Sequence, residues 1–174
     1  MAKRGFADRR QLEEHTFHPA VTGVIVLLAL FLGVYLPHIF PRYDILDLPL
    51  IIVIFFSVSR RSPVTGTLLG AIVGILQDLP TNQYIGVNGI AKAIVGYTAA
   101  SIGLRVDVDN ILTRTLFSFG FSLLQSIILF AVRHFLLGQP GYHLLWLHEL
   151  LRATVTAIVA VPIFLLLDRT RSDA

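Results

Sequence analysis

AVTGVIVLLALFLGVYL, residues 20–36, carries no charge and is followed by Pro37 and Pro41. A bilayer core takes roughly 20 apolar residues per helical span, with a range of about 17–25. Backbone polar groups in lipid must be satisfied within the segment, so such a run is helical. It is too long for a signal-peptide core and lacks a small-x-small cleavage site, so it reads as a retained span. Working outward, the same pattern recurs at about 45–58, 64–79, 85–104, 112–133 and 150–167. The second and third runs are short, and Asp44, Asp47 and Pro49 crowd the start of the second. Segments of that length are re-entrant or spanning, and length alone does not choose.

The cations choose. With the N-terminus in the cytoplasm, six spans place Lys3, Arg4, Arg9, Arg10, Arg60, Arg61, Arg105, Arg114, Arg169 and Arg171 inside. Arg42 and Arg133 remain outside. Deleting the second span would scatter these residues over both sides. The positive-inside rule therefore favours six spans with both termini cytoplasmic. Composition agrees: 55% of residues are hydrophobic, 14% are charged, and the mean hydropathy is +0.73. Soluble domains carry about 25% charged residues.

The expected organisation is a cytoplasmic tail at 1–18, an all-α six-helix transmembrane bundle at 19–167 and a cytoplasmic tail at 168–174. The net charge of +3 is a topology signal, with no nucleic-acid partner implied. The chain has no cysteine, which excludes disulfides, thiolate catalysis and cysteine metal sites. The outer loops read PHIFPRYD at 37–44, a polar turn around PTNQY, and HFLLGQPGYHLLWLHE at 134–149. The last mixes Tyr142, Trp146 and histidines with leucines, a composition that suits the membrane interface.

Gly66, Gly70 and Gly74 stand four apart and share one helix face. Such a face lets another helix approach closely, either within the bundle or from a partner or second copy. Weaker small-residue faces occur at Gly89/Ala93, Gly96/Ala100, Ala29/Gly33 and Ala153/Ala157.

The densest polar cluster is Gln77, Asp78, Thr81, Asn82, Gln83, Asn88 and Lys92. An ammonium at the depth of Lys92 must face the bundle or find a partner. Asp78 is the nearest carboxylate in the hairpin. The two make either an ion pair in an outward polar pocket or a structural pin, with Asn82 and Asn88 as turn or capping groups. A second cluster is His148, Glu149 and Arg152. Glu149 and Arg152 are three apart on one face, giving an interfacial pair or a site for a lipid phosphate or a partner's carboxylate. Gln125 reads as interhelical hydrogen-bond glue.

No catalytic constellation is legible. The histidines form no HExxH, and GxSxG, Walker and GxGxxG patterns are missing. The expectation is a non-enzyme without cofactor or metal.

The stretch GTLLGAIVGILQDLPTNQYIGVNGIAKAIVGYTAA, residues 66–100, resembles the signature region of the MreD family. Its elements are Gly74-Ile75-Leu76-Gln77-Asp78-Leu79, then Ile85-Gly86-Val87-Asn88-Gly89-Ile90, then Ile94-Val95-Gly96-Tyr97. The resemblance implies an inner-membrane scaffold or regulator of bacterial cell-wall elongation and rod shape. It implies partnership with a single-pass MreC-like protein, and action with MreB, a RodA-type glycosyltransferase and a penicillin-binding transpeptidase. It also implies a fold similar to the six-helix substrate-binding subunits of energy-coupling-factor vitamin transporters. That likeness makes a small-solute or lipid-binding transporter subunit the alternative function, with Asp78, Asn88, Lys92 and Arg152 lining its site. Candidate contact or pocket residues are Gly66, Gly70, Gly74, Gln77, Asp78, Gly86, Asn88, Lys92, Glu149 and Arg152.

Overall fold

The computed structural model describes residues 19–39, 46–81, 84–106, 110–138 and 146–168. The expected N-terminal tail, residues 169–174 of the C-terminal one, most of the first outer loop, Asn82, Gln83, and Tyr142 and His143 of the third loop lie outside the described residues.

Six α-helices follow one another, with no strand among the described residues: α1 Pro19–Ile39, α2 Leu48–Arg60, α3 Pro63–Asp78, α4 Val87–Gly103, α5 Ile111–Ala131 and α6 Trp146–Asp168. Local signals set most of the ends. Asp47 caps α2 by accepting from the Leu50 N–H at 3.0 Å, and Pro49 sits where its missing N–H costs nothing. Arg61 closes α2 in a left-handed conformation, its N–H bonding to the Ser57 carbonyl. Asn110 caps α5 through the Leu112 N–H at 3.0 Å.

Most boundaries fall within three residues of the sequence expectation, and two shifts bear on particular residues. α1 runs through Pro37 to Ile39, because a proline in the last turn removes only a terminal hydrogen bond. α6 begins at Trp146, so His148 and Glu149 lie in its first turn and not in a loop. A π-helical turn, Val132–Leu136, extends α5.

α2 is the centre of the bundle. Every residue from Pro49 to Val58 is buried. A helix apolar on all sides belongs in such a position. α3, α4 and α1 surround it, and α5 and α6 close the remaining side. Its Phe55 ring meets Phe164 of α6 at 5.4 Å between centroids. The tightest pairing is the α3–α4 hairpin, followed by α5–α6.

The exterior is apolar. Leu28 and Phe31 on α1, Leu68 on α3, Leu116 on α5 and Ile158 and Leu166 on α6 are all exposed. Soluble monomers rarely present contiguous apolar surface on that scale. Two helical stretches, Leu112–Leu136 and Trp146–Asp168, are long and apolar enough to cross a membrane.

The chain's alternation divides the helix termini between the two ends of the bundle. The start of α2, the end of α3, the start of α4, the end of α5 and the start of α6 share one end. Arg60, Arg61, Arg105 and Arg114 gather at the other, where Arg114 is ion-paired with Asp168.

Candidate functional site

The glycines of α3 determine how the site is built. A Cβ on Gly66 would lie 2.5 Å from the Gly96 carbonyl oxygen. One on Gly70 would lie 2.1 Å from that of Lys92, and one on Gly74 2.4 Å from that of Asn88. Each step of four back along α3 is a step of four forward along α4. The two backbones are in direct contact over three turns, which glycine alone permits. The glycine face therefore packs inside the chain. Of the two readings of Gly66, Gly70 and Gly74, packing within the bundle or against a partner or second copy, the structure shows the first: α4 occupies that face.

Asp78 ends α3 and reaches back over the turn. Its Oδ2 accepts from the N–H of Gly86 at 2.8 Å and of Asn88 at 3.1 Å. Its Oδ1 accepts from the Asn88 side-chain amide at 2.7 Å. Gly86, the N-cap of α4, has φ +99° and no side chain with which to cap. Asp78 supplies that cap from the preceding helix, and its negative charge sits at the positive end of α4. The signature region is thus a clamped hairpin. Gln77, beside it, keeps a buried side-chain oxygen without a hydrogen-bond partner among the described residues.

Lys92 is fully buried, and its ion-pair partner is Asp47, not Asp78. Asp78 is engaged by the α4 N-terminus, while Asp47 enters from the start of α2 across the bundle. Asp47 Oδ2 accepts from Lys92 Nζ at 2.8 Å, Gln125 Nε2 at 2.6 Å and Arg152 Nη2 at 3.4 Å. Lys92 also donates to Gln125 Oε1 at 3.2 Å. One carboxylate thus ties α2, α4, α5 and α6 together, while its other oxygen caps α2. Two charges this deep are tolerated only when hydrogen bonds fill their remaining valences. Gln125 does that for both, in the glue role its mid-span position suggests.

Glu149 and Arg152 do not pair with each other. Glu149 is buried and accepts from the Ser126 hydroxyl of α5, with His148 Nδ1 4.0 Å away. Arg152 turns to Asp47. The interfacial Glu149–Arg152 pair is therefore corrected to two separate α6 contacts.

The residues expected to line one pocket fall into two groups. Asp78, Gly86 and Asn88 form the hairpin clamp; Lys92 and Arg152 join the latch around Asp47. In the sequence, Asp47 stands out only as one of the residues that crowd the start of the second run. Nothing local to it announces partners 45, 78 and 105 residues away.

A cavity of about 380 Å³ lies between α1, α2 and α6, lined only by apolar residues, among them Leu28, Ala29, Ile52, Ile163 and Leu166. Among the described residues, no group of three histidines or carboxylates is placed to hold a metal.

The family model described as rod shape-determining protein MreD matches residues 15–170. The chain belongs to the MreD family. The match reaches far beyond the signature stretch, to the His148–Arg152 region and all six helices. No curated protein and no solved structure matches. Membership makes this MreD-family chain a membrane protein with a role in rod-shape determination, in a family associated with the MreC and MreB shape system.

Proposed function

We propose that this MreD-family protein is a non-enzymatic, multi-pass scaffold of the bacterial inner membrane, with both termini cytoplasmic. It holds an MreC-like single-pass protein within the cell-wall elongation machinery, alongside MreB, a RodA-type glycosyltransferase and a penicillin-binding transpeptidase. The observation that carries this reading is the internal use of the chain's polar groups. Asp47, Asp78, Lys92, Gln125 and Arg152 are bonded to one another or to helix ends. What they hold in place is a set of outward apolar faces. The topology rests on the excess of arginines at one end of the bundle, Arg60, Arg61, Arg105 and Arg114 against Arg133 and Arg152 at the other.

With the glycine face consumed by α4, the partner's membrane helix needs another seat. α1 offers it. Val24, Leu27, Leu28, Phe31 and Tyr35 are exposed along it, and the apolar cavity runs beside it. Lipid gives helices no hydrophobic drive to associate, so a shaped groove is what a partner helix needs.

The test exploits the absence of cysteine. Single cysteines at Leu28 and Ile163, in the groove, and at Leu116, exposed on α5 outside it, are paired with cysteines along the MreC-like membrane helix. The groove positions are expected to cross-link in membranes and Leu116 is not. Cross-links at Leu116 alone would move the partner to α5. No cross-link at any position, with no co-purification, would sink the scaffold reading.

The small-solute reading is not favoured by this packing. Its four candidate residues are divided between the clamp and the latch.

A further inference from the structure

The latch holds one carboxylate and two cations. Lys92, fully buried, stands closest to Asp47. Arg152 is held at 3.4 Å through one nitrogen, and 22% of its side chain is exposed. Asp47 has no capacity to spare: one oxygen caps α2 and the other already accepts from Lys92 and Gln125. Glu149, the next carboxylate along, is engaged by Ser126. Counted with buried Glu149 the charges balance, but Arg152 makes a single long hydrogen bond, and it is the member that reaches the surface. Guanidinium donors left without acceptors at a membrane-facing site are costly, so this one calls for an outside anion to accept from them.

The surroundings define that anion. His148 lies one turn before Arg152 on the same face of α6, with half its side chain exposed. Leu147, Leu151 and Val155 are exposed around them. Arg152 stands six residues into α6, about 9 Å along the helix from Trp146. Trp146 is exposed and suited to the interface. That depth matches the boundary between headgroups and acyl chains. A guanidinium with N–H groups to spare binds phosphate oxygens in a fork. Leucines beside it suit an acyl or polyprenyl chain and not a free oxyanion.

We propose that Arg152, assisted by His148, binds the phosphate headgroup of an anionic membrane lipid, whose chain lies along α6 beside Leu151 and Val155. The lipid supplies the hydrogen-bond acceptors that Asp47 cannot spare for Arg152.

The test is thermal unfolding of the delipidated full-length protein in neutral detergent. It is run with phosphatidylcholine alone, with added phosphatidylglycerol, and with phosphatidylcholine plus inorganic phosphate. Phosphatidylglycerol is expected to raise the wild-type Tm by about 5 °C. The other two conditions leave it unchanged. Arg152→Gln loses the shift; Arg105→Gln, exposed at the opposite end, keeps it. Native mass spectrometry of the wild type reads the same claim without a variant, as a retained phospholipid that phosphatidylcholine does not displace. Equal shifts with phosphatidylcholine, an undiminished shift in Arg152→Gln, or no retained anionic lipid would overturn the site. An equal shift with inorganic phosphate would overturn the lipid assignment and leave a bare oxyanion.

Discussion

Asp47 does three jobs at once: it caps α2, neutralises Lys92 and holds Arg152. The cost of removing it is therefore unlike the cost of removing its partners. Asp47→Leu strands a fully buried ammonium and frees the α2 N-terminus, an expected loss of about 3–5 kcal/mol. Lys92→Met leaves Asp47 with Arg152 and Gln125, and is expected to cost about 1–3 kcal/mol. The double variant should recover much of the Asp47→Leu loss, since an apolar pair replaces a buried ionic one. Thermal unfolding of the three variants in detergent checks this order; equal losses for the two single variants would mean that Asp47 serves Lys92 alone.

At the scale of elements, the α3–α4 hairpin is governed by what a single methyl group meets. Gly70→Ala and Gly96→Ala would drive Cβ against backbone oxygens of the facing helix, at 2.1 and 2.2 Å. Backbone cannot rotate away as a side chain can, so each is expected to cost about 1–3 kcal/mol by overpacking. Gly23 and Gly120 have nothing within 4 Å of a Cβ. Alanine there should be neutral or stabilise by about 0.5–1 kcal/mol, through helix propensity alone. Melting temperatures of the four variants separate the two classes, and a stable Gly70→Ala would contradict the observed backbone contact. Asp78→Ala belongs to the same element. It removes the cap of α4 and should cost about 1–2 kcal/mol without touching the Asp47 latch. A loss as large as that of Asp47→Leu would mean that clamp and latch are one unit.

For the whole molecule, the alternation of helices places Tyr84 and Leu104 at opposite ends of α4, both exposed. With no native cysteine, Tyr84→Cys and Leu104→Cys can each be labelled alone. The arginine-rich end predicts that a membrane-impermeant thiol reagent reaches Tyr84→Cys from outside intact cells and Leu104→Cys only after lysis. The reverse result would invert the topology. Hydropathy along the chain was enough for the helical class, the number of helices and most of their ends. Each rests on a local fact: an apolar run must satisfy its own backbone, and charged or proline residues interrupt it. The cluster at Gln77–Lys92 was legible as polar and important, and Gln125 as a bridge. What no local signal could decide was the pairing. Asp78 and Lys92 look like neighbours along the hairpin, yet the free N-terminus of α4 claims Asp78. Lys92 turns instead to a carboxylate 45 residues earlier, on the central helix. The glycine face was plain to read, but whether it met α4 or another protein depended on which surface packing left open. Ion pairs and helix seams are settled by which groups the assembled bundle brings within reach, and only the tertiary structure holds that information.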